Sequence, residues 1–209
     1  MIDDPSITRA PITPASITLA VLAGGDGVRM GGAKSRLIVN GVPVLSRILD
    51  RLQWPGPTLL VTAPSNQHPP GHERFDREAT DAIDSGGPAQ GLLTALTAAE
   101  TDALILIPVD MPMLTRDQLL QLATSTAAGV LCHRVVNGEQ LIEPFPSLYR
   151  QAVVPALQSL LAQNRRSLRG LLNLPQCTSI DVTDWPTETW INLNTPDDLA
   201  MYERRIAEE

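Results

Sequence analysis

The chain is short of several residue types, and each shortage argues against a class of protein. It has 2 cysteines, Cys132 and Cys177, with no CxxC spacing, which speaks against a zinc site or redox centre built on cysteine. No apolar run approaches the roughly 20 residues of a membrane-spanning helix. The 23 acidic residues outnumber the 16 basic ones, and a net charge of −7 is unlike that of a nonspecific nucleic-acid binder. The acidic N-terminus has no apolar segment typical of a secretory signal. We therefore expect a cytoplasmic globular protein that has neither nucleic acid nor membrane as a partner.

Lysine is almost missing. All but one of the 16 basic residues are arginines, and the single lysine is Lys34. A general replacement of lysine by arginine would explain this count without any function. The alternative is that position 34 needs a compact ammonium group, which the planar guanidinium of arginine does not replace. The residues around Lys34 favour the second interpretation.

The pattern of apolar runs predicts an α/β fold. The length of 209 residues suits one domain, and residues 1–16, with three prolines, read as a loose leader before a single domain over 17–209. Apolar strands predicted at 17–22, 58–63 and 103–109 alternate with helical segments. This alternation indicates a mostly parallel, twisted sheet with helices on both faces, that is, three layers. Helices are predicted at 43–54, 91–99, 115–123, 151–163, 167–172 and 195–206.

The second half of the chain adds antiparallel pairing. Two apolar runs at 130–136 and 141–149 flank Asn137-Gly138, the strongest short signal for a β-hairpin. Short strands are also predicted at 179–182 and 189–193. Thr195-Pro196-Asp197-Asp198 has three signals for the start of a helix: a threonine N-cap, proline at the first position and acidic residues in the first turn.

A glycine-rich loop follows the first predicted strand. Residues 24–32 include five glycines, and Arg29 and Lys34 bring two cations beside them. Glycines let backbone N–H groups approach a phosphate chain closely, and an open α/β sheet binds its ligand at the carboxyl ends of its strands. The loop matches neither the dinucleotide-binding glycine fingerprint nor the Walker A spacing. It predicts a phosphate site of another kind.

Six motifs in order resemble one enzyme family. They are L-A-G-G-x-G-x-R-M-G from Leu22, Asp81 followed by G-P-A-Q-G-L from Gly87, P-V-D-M-P from Pro108, E-P-F from Glu143, R-R-S-L-R from Arg165, and N-L-N-T-P from Asn192. Together they resemble the molybdenum cofactor guanylyltransferases, and the resemblance runs from Leu19 to Tyr202. It implies the Rossmann-like fold of the nucleotide-diphospho-sugar transferases.

The resemblance implies an activity and roles for particular residues. The family transfers GMP from magnesium-bound GTP to the terminal phosphate of molybdopterin and releases pyrophosphate, with Mg²⁺ as cofactor. The resemblance also implies transient contact with other enzymes of molybdenum cofactor synthesis. Lys34, Arg29 and Asp110 correspond to catalytic positions, and Asp110 corresponds to the metal ligand. Asn192 and Asn194 correspond to the acceptor side. The positions that correspond to nucleotide binding are Leu22, Ala23, Gly24, Gly25, Lys34, Thr62, Asp81 and Asp110.

Three alternatives stay open at the level of the sequence. The run Pro88-Ala89-Gln90-Gly91 departs from the family's P-L-A-G, which leaves guanine against cytosine undecided. A sugar-phosphate nucleotidyltransferase of the same fold is a second alternative. A non-catalytic relative that binds nucleotide or pterin is a third, although Lys34 and Asp110 would be superfluous in a carrier.

Overall fold

One mixed sheet organises the molecule. A computed structural model of the chain describes residues 13–24, 33–84 and 86–208. In this part of the chain the main sheet has the strand order β5-β4-β1-β6-β8-β7-β9, and β2 and β3 form a small antiparallel pair beside it. The strands are β1 Ile17–Leu22, β2 Ile38–Val39, β3 Val42–Pro43, β4 Thr58–Thr62, β5 Arg77–Thr80, β6 Ala103–Pro108, β7 Gly129–Val136, β8 Glu139–Arg150 and β9 Cys177–Asp181.

Most strand pairs are parallel. β5, β4, β1 and β6 pair in parallel, as do β7 and β9, whereas β8 runs antiparallel between β6 and β7. The β7–β8 hairpin turns at Asn137 and Gly138, whose φ values of 53° and 82° are both positive. That is the backbone that two-residue hairpin turns require. The expectation of an α/β fold with a mainly parallel sheet and an added hairpin is confirmed.

Helices cover both faces of the sheet. They are α1 Val44–Leu52, α2 Gly87–Ala98, α3 Arg116–Leu122, α4 Val154–Ala162 and α5 Pro196–Ala207. Successive side chains of a strand point to opposite faces, so Ile17, Leu19 and Val21 of β1 pack with α1 and α3. Ala20 packs on the other face with α2 and α4. Each face therefore has its own apolar core.

The structure differs from the sequence prediction in several segments, including β2 and β3, which were not predicted, and α2, which begins at Gly87 rather than at residue 91. The strand expected at 189–193 is absent; Thr187–Trp190 forms a 3-10 turn, and the chain then extends to Leu193, whose N–H bonds the carbonyl of Asp110 at 2.9 Å. The helix expected at 167–172 is the 3-10 segment Leu168–Asn173. β5 was missed because its residues are half-exposed or exposed and carry no apolar alternation. Of the expected leader, residues 13–16 are described, and Pro14–Ser16 form one 3-10 turn.

Candidate functional site

A cleft of about 680 Å³ opens at the carboxyl ends of the central strands. Leu22 and Pro108, the last residues of β1 and β6, lie in its floor. From β1 the chain continues to β4 and β5 on one side of β1 and then crosses back to β6 on the other side, so the strand order reverses beside β1. Open α/β sheets bind ligands in the crevice that such a reversal creates.

Three side chains from distant parts of the chain meet at one edge of this cleft. Lys34 opens the 3-10 turn Lys34–Arg36, Asp110 follows β6, and Asn194 precedes α5. Lys34 Nζ donates to Asp110 Oδ2 at 2.6 Å and also to Asn194 Oδ1. The Lys34 and Asp110 side chains are each 21% exposed, so the pair is partly shielded from water and still open to a ligand. An ammonium group has three N–H donors, which leaves one for a phosphate oxygen.

The start of α5 fixes Asn194. Thr195 caps the helix, and Asp198 Oδ2 accepts from the Asn194 N–H at 3.1 Å and from the Thr195 N–H and hydroxyl at 2.8 Å each. The Thr195 hydroxyl bond is the main cause that lowers the pKa of Asp198. Leu193 N–H bonds the carbonyl of Asp110 at 2.9 Å, so the loop before α5 is tied directly to the end of β6. Asp110 and Asn194 are thus held together by backbone as well as by Lys34.

Asn66 anchors the turn that carries Lys34. Its side-chain amide donates to the carbonyl of Ala23 at 3.0 Å and to the hydroxyl of Ser35 at 2.5 Å. Its Oδ1 accepts from Arg36 Nε at 2.9 Å. Asn66 is 6% exposed and Ser35 is fully buried, so these bonds have little competition from water. One side-chain amide therefore joins the end of β1 to Ser35 and Arg36 in the turn that carries Lys34, a role that no sequence signal indicated.

Asp81 also lines the cleft. Its Oδ1 is buried and has no hydrogen-bond partner in the described part of the chain. Burial raises the pKa of Asp81, and a hydrogen bond from Thr94 opposes this only in part. The Asp81 N–H bonds the carbonyl of Thr62 at 2.8 Å, which fixes the backbone of the carboxylate. An acceptor left in this state is suited to a ligand that brings N–H donors.

The first turn of α2 forms the wall beside Asp81. Gly87, Pro88 and Gly91 line the cleft there. A Cβ at Gly91 would lie 2.9 Å from Leu22 Cδ2, so glycine allows α2 to approach the end of β1 closely. The two residues that depart from the family's P-L-A-G, Ala89 and Gln90, do not line the cleft but lie between Pro88 and Gly91, which do.

Most of the site residues predicted from the sequence and described by the structure border the cleft. Leu22, Gly24, Lys34, Asp81, Asp110 and Asn192 line it, and Asn194 adjoins it through Lys34. Two have side chains directed elsewhere: Ala23 is 2% exposed in the apolar core, and the buried Thr62 hydroxyl donates to Glu78 Oε1 at 3.0 Å. Gly25 and Arg29 lie outside the described residues.

The cleft is also lined by residues that sequence reasoning did not select. Arg134 Nε donates to Glu143 Oε1 at 2.8 Å, and its guanidinium lies 4.4 Å from the centre of the Trp190 ring. Arg169 donates through Nε to the carbonyl of Ile142 at 3.0 Å. The motifs beginning at Glu143 and Arg165 marked this region, but they gave no means of choosing Arg169 from its run of arginines or of pairing Arg134 with Trp190.

Comparison with known proteins identifies the family. The model of the MobA-like NTP transferase domain matches residues 19–179, which is most of the chain. The chain belongs to the MobA-like NTP transferase family. It is a nucleotidyltransferase, and the cleft unites residues from both ends of that match, from Leu22 to Arg169.

Alignments with relatives cover nearly the whole length of this MobA-like chain. It is 30% identical over 199 residues to the molybdenum cofactor guanylyltransferase of Vibrio cholerae, covering 93% of this chain and 95% of that one. It is 32% identical over 184 residues to a probable molybdenum cofactor guanylyltransferase of Deinococcus radiodurans, covering 88% and 92%. The names of both relatives describe guanylyltransferases of the molybdenum cofactor.

Solved structures agree on the fold. The molybdopterin-guanine dinucleotide biosynthesis protein A of Archaeoglobus fulgidus superimposes with a TM-score of 0.77 at 21% identity, covering 92% of this chain and 100% of that one. The 2-C-methyl-D-erythritol 4-phosphate cytidylyltransferase of Thermus thermophilus gives a TM-score of 0.67 at 15% identity, covering 90% and 98%. In the described residues, no helix is long and apolar enough to cross a bilayer.

Proposed function

We propose that this MobA-like nucleotidyltransferase transfers GMP from Mg²⁺-bound GTP to the terminal phosphate of molybdopterin, releasing pyrophosphate, and that it does so in the cytoplasm. The observation that carries the proposal is the meeting of Lys34, Asp110 and Asn194 at the cleft. The same cleft is also lined by the carboxylate of Asp81 and by two arginines, Arg134 and Arg169. The names of the relatives from Vibrio cholerae and Deinococcus radiodurans support the choice of substrates.

Guanine suits the end of the cleft that contains Asp81. The N1–H and N2–H₂ groups of guanine are neighbouring hydrogen-bond donors. Oδ1 of Asp81 is an acceptor that has no donor among the described residues. A buried acceptor gains most when a ligand satisfies it, because leaving it unpaired costs about 1–3 kcal/mol. Leu22 and Gly24 would lie along the base and ribose.

The donor set at Asp110 fits Mg²⁺. Magnesium in nucleotide sites is bound by one or two carboxylates together with substrate phosphates and water. Among the described residues, the hydrogen bonds to the Asp110 carboxylate involve Oδ2, which leaves Oδ1 for a cation. When bound there, the ion would neutralise charge on the phosphate oxygens. Asp110 would hold the ion.

Lys34 would stabilise charge during the transfer. A terminal phosphate oxygen of molybdopterin attacks the α-phosphorus of GTP, a new P–O bond forms, and the bond from the α-phosphorus to the bridging oxygen of the β-phosphate breaks. The electron pair leaves with pyrophosphate, so negative charge grows on the bridging oxygen. A cation fixed in advance by Asp110 and Asn194 lowers the barrier because it need not reorganise.

The arginine end of the cleft suits the acceptor. Molybdopterin carries a phosphate and a flat pterin, and Arg134, Arg169 and the Trp190 ring offer cations and an aromatic face. Asn192 also lines the cleft. We assign Asn192 and Asn194 to the acceptor side. The product would pass to other enzymes of molybdenum cofactor synthesis, by transient contact.

Cytidylyl transfer to the same acceptor is the alternative that a specific observation favours. Ala89 and Gln90 replace residues of the family's P-L-A-G, and they lie in the chain between Pro88 and Gly91, which line the cleft. A carrier without catalysis is disfavoured by the Lys34–Asp110 pair, which binding alone does not need.

Pyrophosphate release measured with each of the four nucleoside triphosphates, with Mg²⁺ and molybdopterin, tests the proposal. We expect GTP to exceed CTP by at least about tenfold, or about 1.4 kcal/mol. Gly24→Ala sharpens the test, because an added Cβ would come no nearer than 3.9 Å to Ala63 and the fold should tolerate it. The added methyl should reduce the preference for the larger purine. Equal turnover of GTP and CTP by the unaltered protein would overturn the guanylyl assignment, and faster turnover of CTP would make the protein a cytidylyltransferase. No release with any nucleotide would overturn the enzymatic proposal.

A further inference from the structure

A second cluster of ligand-type side chains lies outside the cleft, beside edge strand β5. His68, His72 and Glu78 each offer one nitrogen or oxygen atom, and these atoms lie within 4.8 Å of one another. The sequence gave no reason to pair them, because Glu78 comes from the strand and the histidines come from the loop before it. Their spacing in the fold is therefore a separate observation from the nucleotide site.

Glu78 is held in place by groups that would support a ligand. Its Oε1 accepts from the Thr62 hydroxyl and from the His68 N–H, both at 3.0 Å. Its Oε2 lies 2.9 Å from Nδ1 of His68. These three contacts orient the carboxylate before any cation arrives.

His72 is oriented by its other nitrogen. Nδ1 lies 3.1 Å from the carbonyl of Pro69 and 3.4 Å from Oε2 of Glu73. A proton assigned to Nδ1 from these contacts leaves the lone pair on Nε2. Histidines that bind metals commonly donate their second ring N–H to a carbonyl or carboxylate in this way.

The loop between the histidines brings the two rings together. His68 has a φ of 51° and Gly71 a φ of 88°, with two prolines between them. The ring centroids are 4.9 Å apart. Donors bound about 2.0–2.2 Å from one zinc ion stand roughly 3–3.5 Å apart. His68 is 68% exposed and His72 36%, so small ring rotations suffice to reach that spacing.

We propose that His68, His72 and Glu78 form a binding site for a zinc-class divalent metal ion, separate from the nucleotide cleft. Two imidazoles and a carboxylate suit zinc and its neighbours, whereas magnesium prefers oxygen ligands alone. Three protein ligands leave a further position for water. The site would fasten the loop at 68–72 to β5, two residues beyond Asn66, and so would brace the segment that anchors Lys34.

Calorimetric titration of the full chain with Zn²⁺, without a histidine tag and in a buffer that does not bind metal, tests the site. We expect one ion per chain and a rise in the melting temperature with Zn²⁺. His72→Gln and Glu78→Gln should each weaken binding by at least about 10–100-fold, the range found for loss of supporting groups at metal sites.

Two variants serve as controls. His133→Ala removes the third histidine, which contacts Ser179 away from this cluster, and should leave zinc binding unchanged. Asp110→Asn removes the carboxylate of the nucleotide cleft and should also leave it unchanged. Zinc binding that is lost with Asp110→Asn, or that survives both His72→Gln and Glu78→Gln, would overturn the proposal. Half an ion per chain would overturn it too, since the metal would then bridge two molecules.

Discussion

Lys34 Nζ and Asp110 Oδ2 lie 2.6 Å apart although 76 residues separate them in the chain. The parallel pairing of β1 with β6 brings the two strand ends side by side, and the turn anchored by Asn66 returns the lysine to that edge. The pair therefore depends on the sheet and on the loop at once. It gives the cleft a cation and an anion at the point where phosphates and a metal would meet.

Loss of the lysine should slow transfer without unfolding the protein. Removing one electrostatic stabiliser of a transition state costs about 2.7–4 kcal/mol, or roughly 10²–10³-fold in turnover. Lys34→Ala should show this loss. Lys34→Arg should not restore activity, because the planar guanidinium is wider than the compact ammonium group that lies between Asp110 and Asn194. Turnover and melting temperature are the measurements.

Chemical labelling gives an independent check on the same residue. Lys34 is the single lysine, so an amine-selective reagent should modify it and the N-terminus, and GTP with Mg²⁺ should protect it. Labelling that is unchanged by nucleotide, together with a fully active Lys34→Arg protein, would mean that the lone lysine reflects composition alone.

Asp110→Asn should separate metal binding from folding. The substitution keeps the shape of the side chain and removes its charge. We expect turnover to fall by about 10²-fold or more, by analogy with other losses of transition-state electrostatics. The magnesium concentration needed for half-maximal rate should rise, and the melting temperature should change little. An inactive protein that is also unfolded would instead make Asp110 a structural residue.

Asn66 should act as a positioning residue for Lys34. Asn66→Ala removes the bonds to Ala23, Ser35 and Arg36, and we expect a loss of about 1–3 kcal/mol in the free energy of unfolding. Because Lys34 acts most strongly in the transition state, kcat should fall by more than KM for GTP rises. Steady-state kinetics below the melting transition measure this split.

Thr101→Val is the matched control for Asn66. Thr101 bonds Thr18 and the carbonyl of Ala103 at the opposite end of the sheet, so its loss should lower stability and leave kcat unchanged. A fall in kcat that merely follows stability in both variants would contradict a positioning role for Asn66.

Asp81→Asn should weaken GTP binding and strengthen the fold. Charge-assisted hydrogen bonds contribute about 1.5–3 kcal/mol, so the affinity for GTP should fall by roughly 10–100-fold. Burial raises the pKa of Asp81 above 3.8, which means that the folded state prefers the protonated form. Stability from this group is present below the unfolded pKa and is lost as the pH rises through the folded one. The variant should therefore be more stable at neutral pH, with the difference shrinking on acidification.

Asp84→Asn provides a neighbouring carboxylate as the control. Asp84 also lines the cleft, but hydrogen bonds from Ser65 lower its pKa, so its contribution to stability has the opposite dependence on pH. Equal effects of the two substitutions on GTP affinity would show that Asp81 acts through general charge rather than through guanine.

The sequence predicted the framework because its signals are local. The apolar runs of β1, β4 and β6, the Asn137-Gly138 turn and the Thr195 cap each depend on a few adjacent residues. Lys34 and Asp110 could be selected from the sequence because Asp110 follows a strand, Lys34 is the single lysine and follows a glycine-rich loop, and both stand within recognisable motifs.

The remaining features depend on contacts between distant residues. Asn66 gains its role from Ser35 and Ala23, and Arg134 gains its role from Trp190 and Glu143, with no periodicity that links them. The segment at 189–193 resembles a strand because Trp190 and Ile191 pack against the core, but within the described residues no neighbouring strand pairs with it. Tertiary packing, rather than propensity, decides such segments.

Transfer of label from GTP tests the central claim most directly. GTP carrying radioactive phosphorus at either the α or the γ position is incubated with the protein, Mg²⁺ and molybdopterin, with Asp110→Asn as the control. The account predicts that the α label enters the pterin product and that the γ label leaves as pyrophosphate. The Asp110→Asn protein should incorporate little α label and release little γ label. Entry of the γ label into the product, or no entry of the α label with the active protein, would contradict guanylyl transfer.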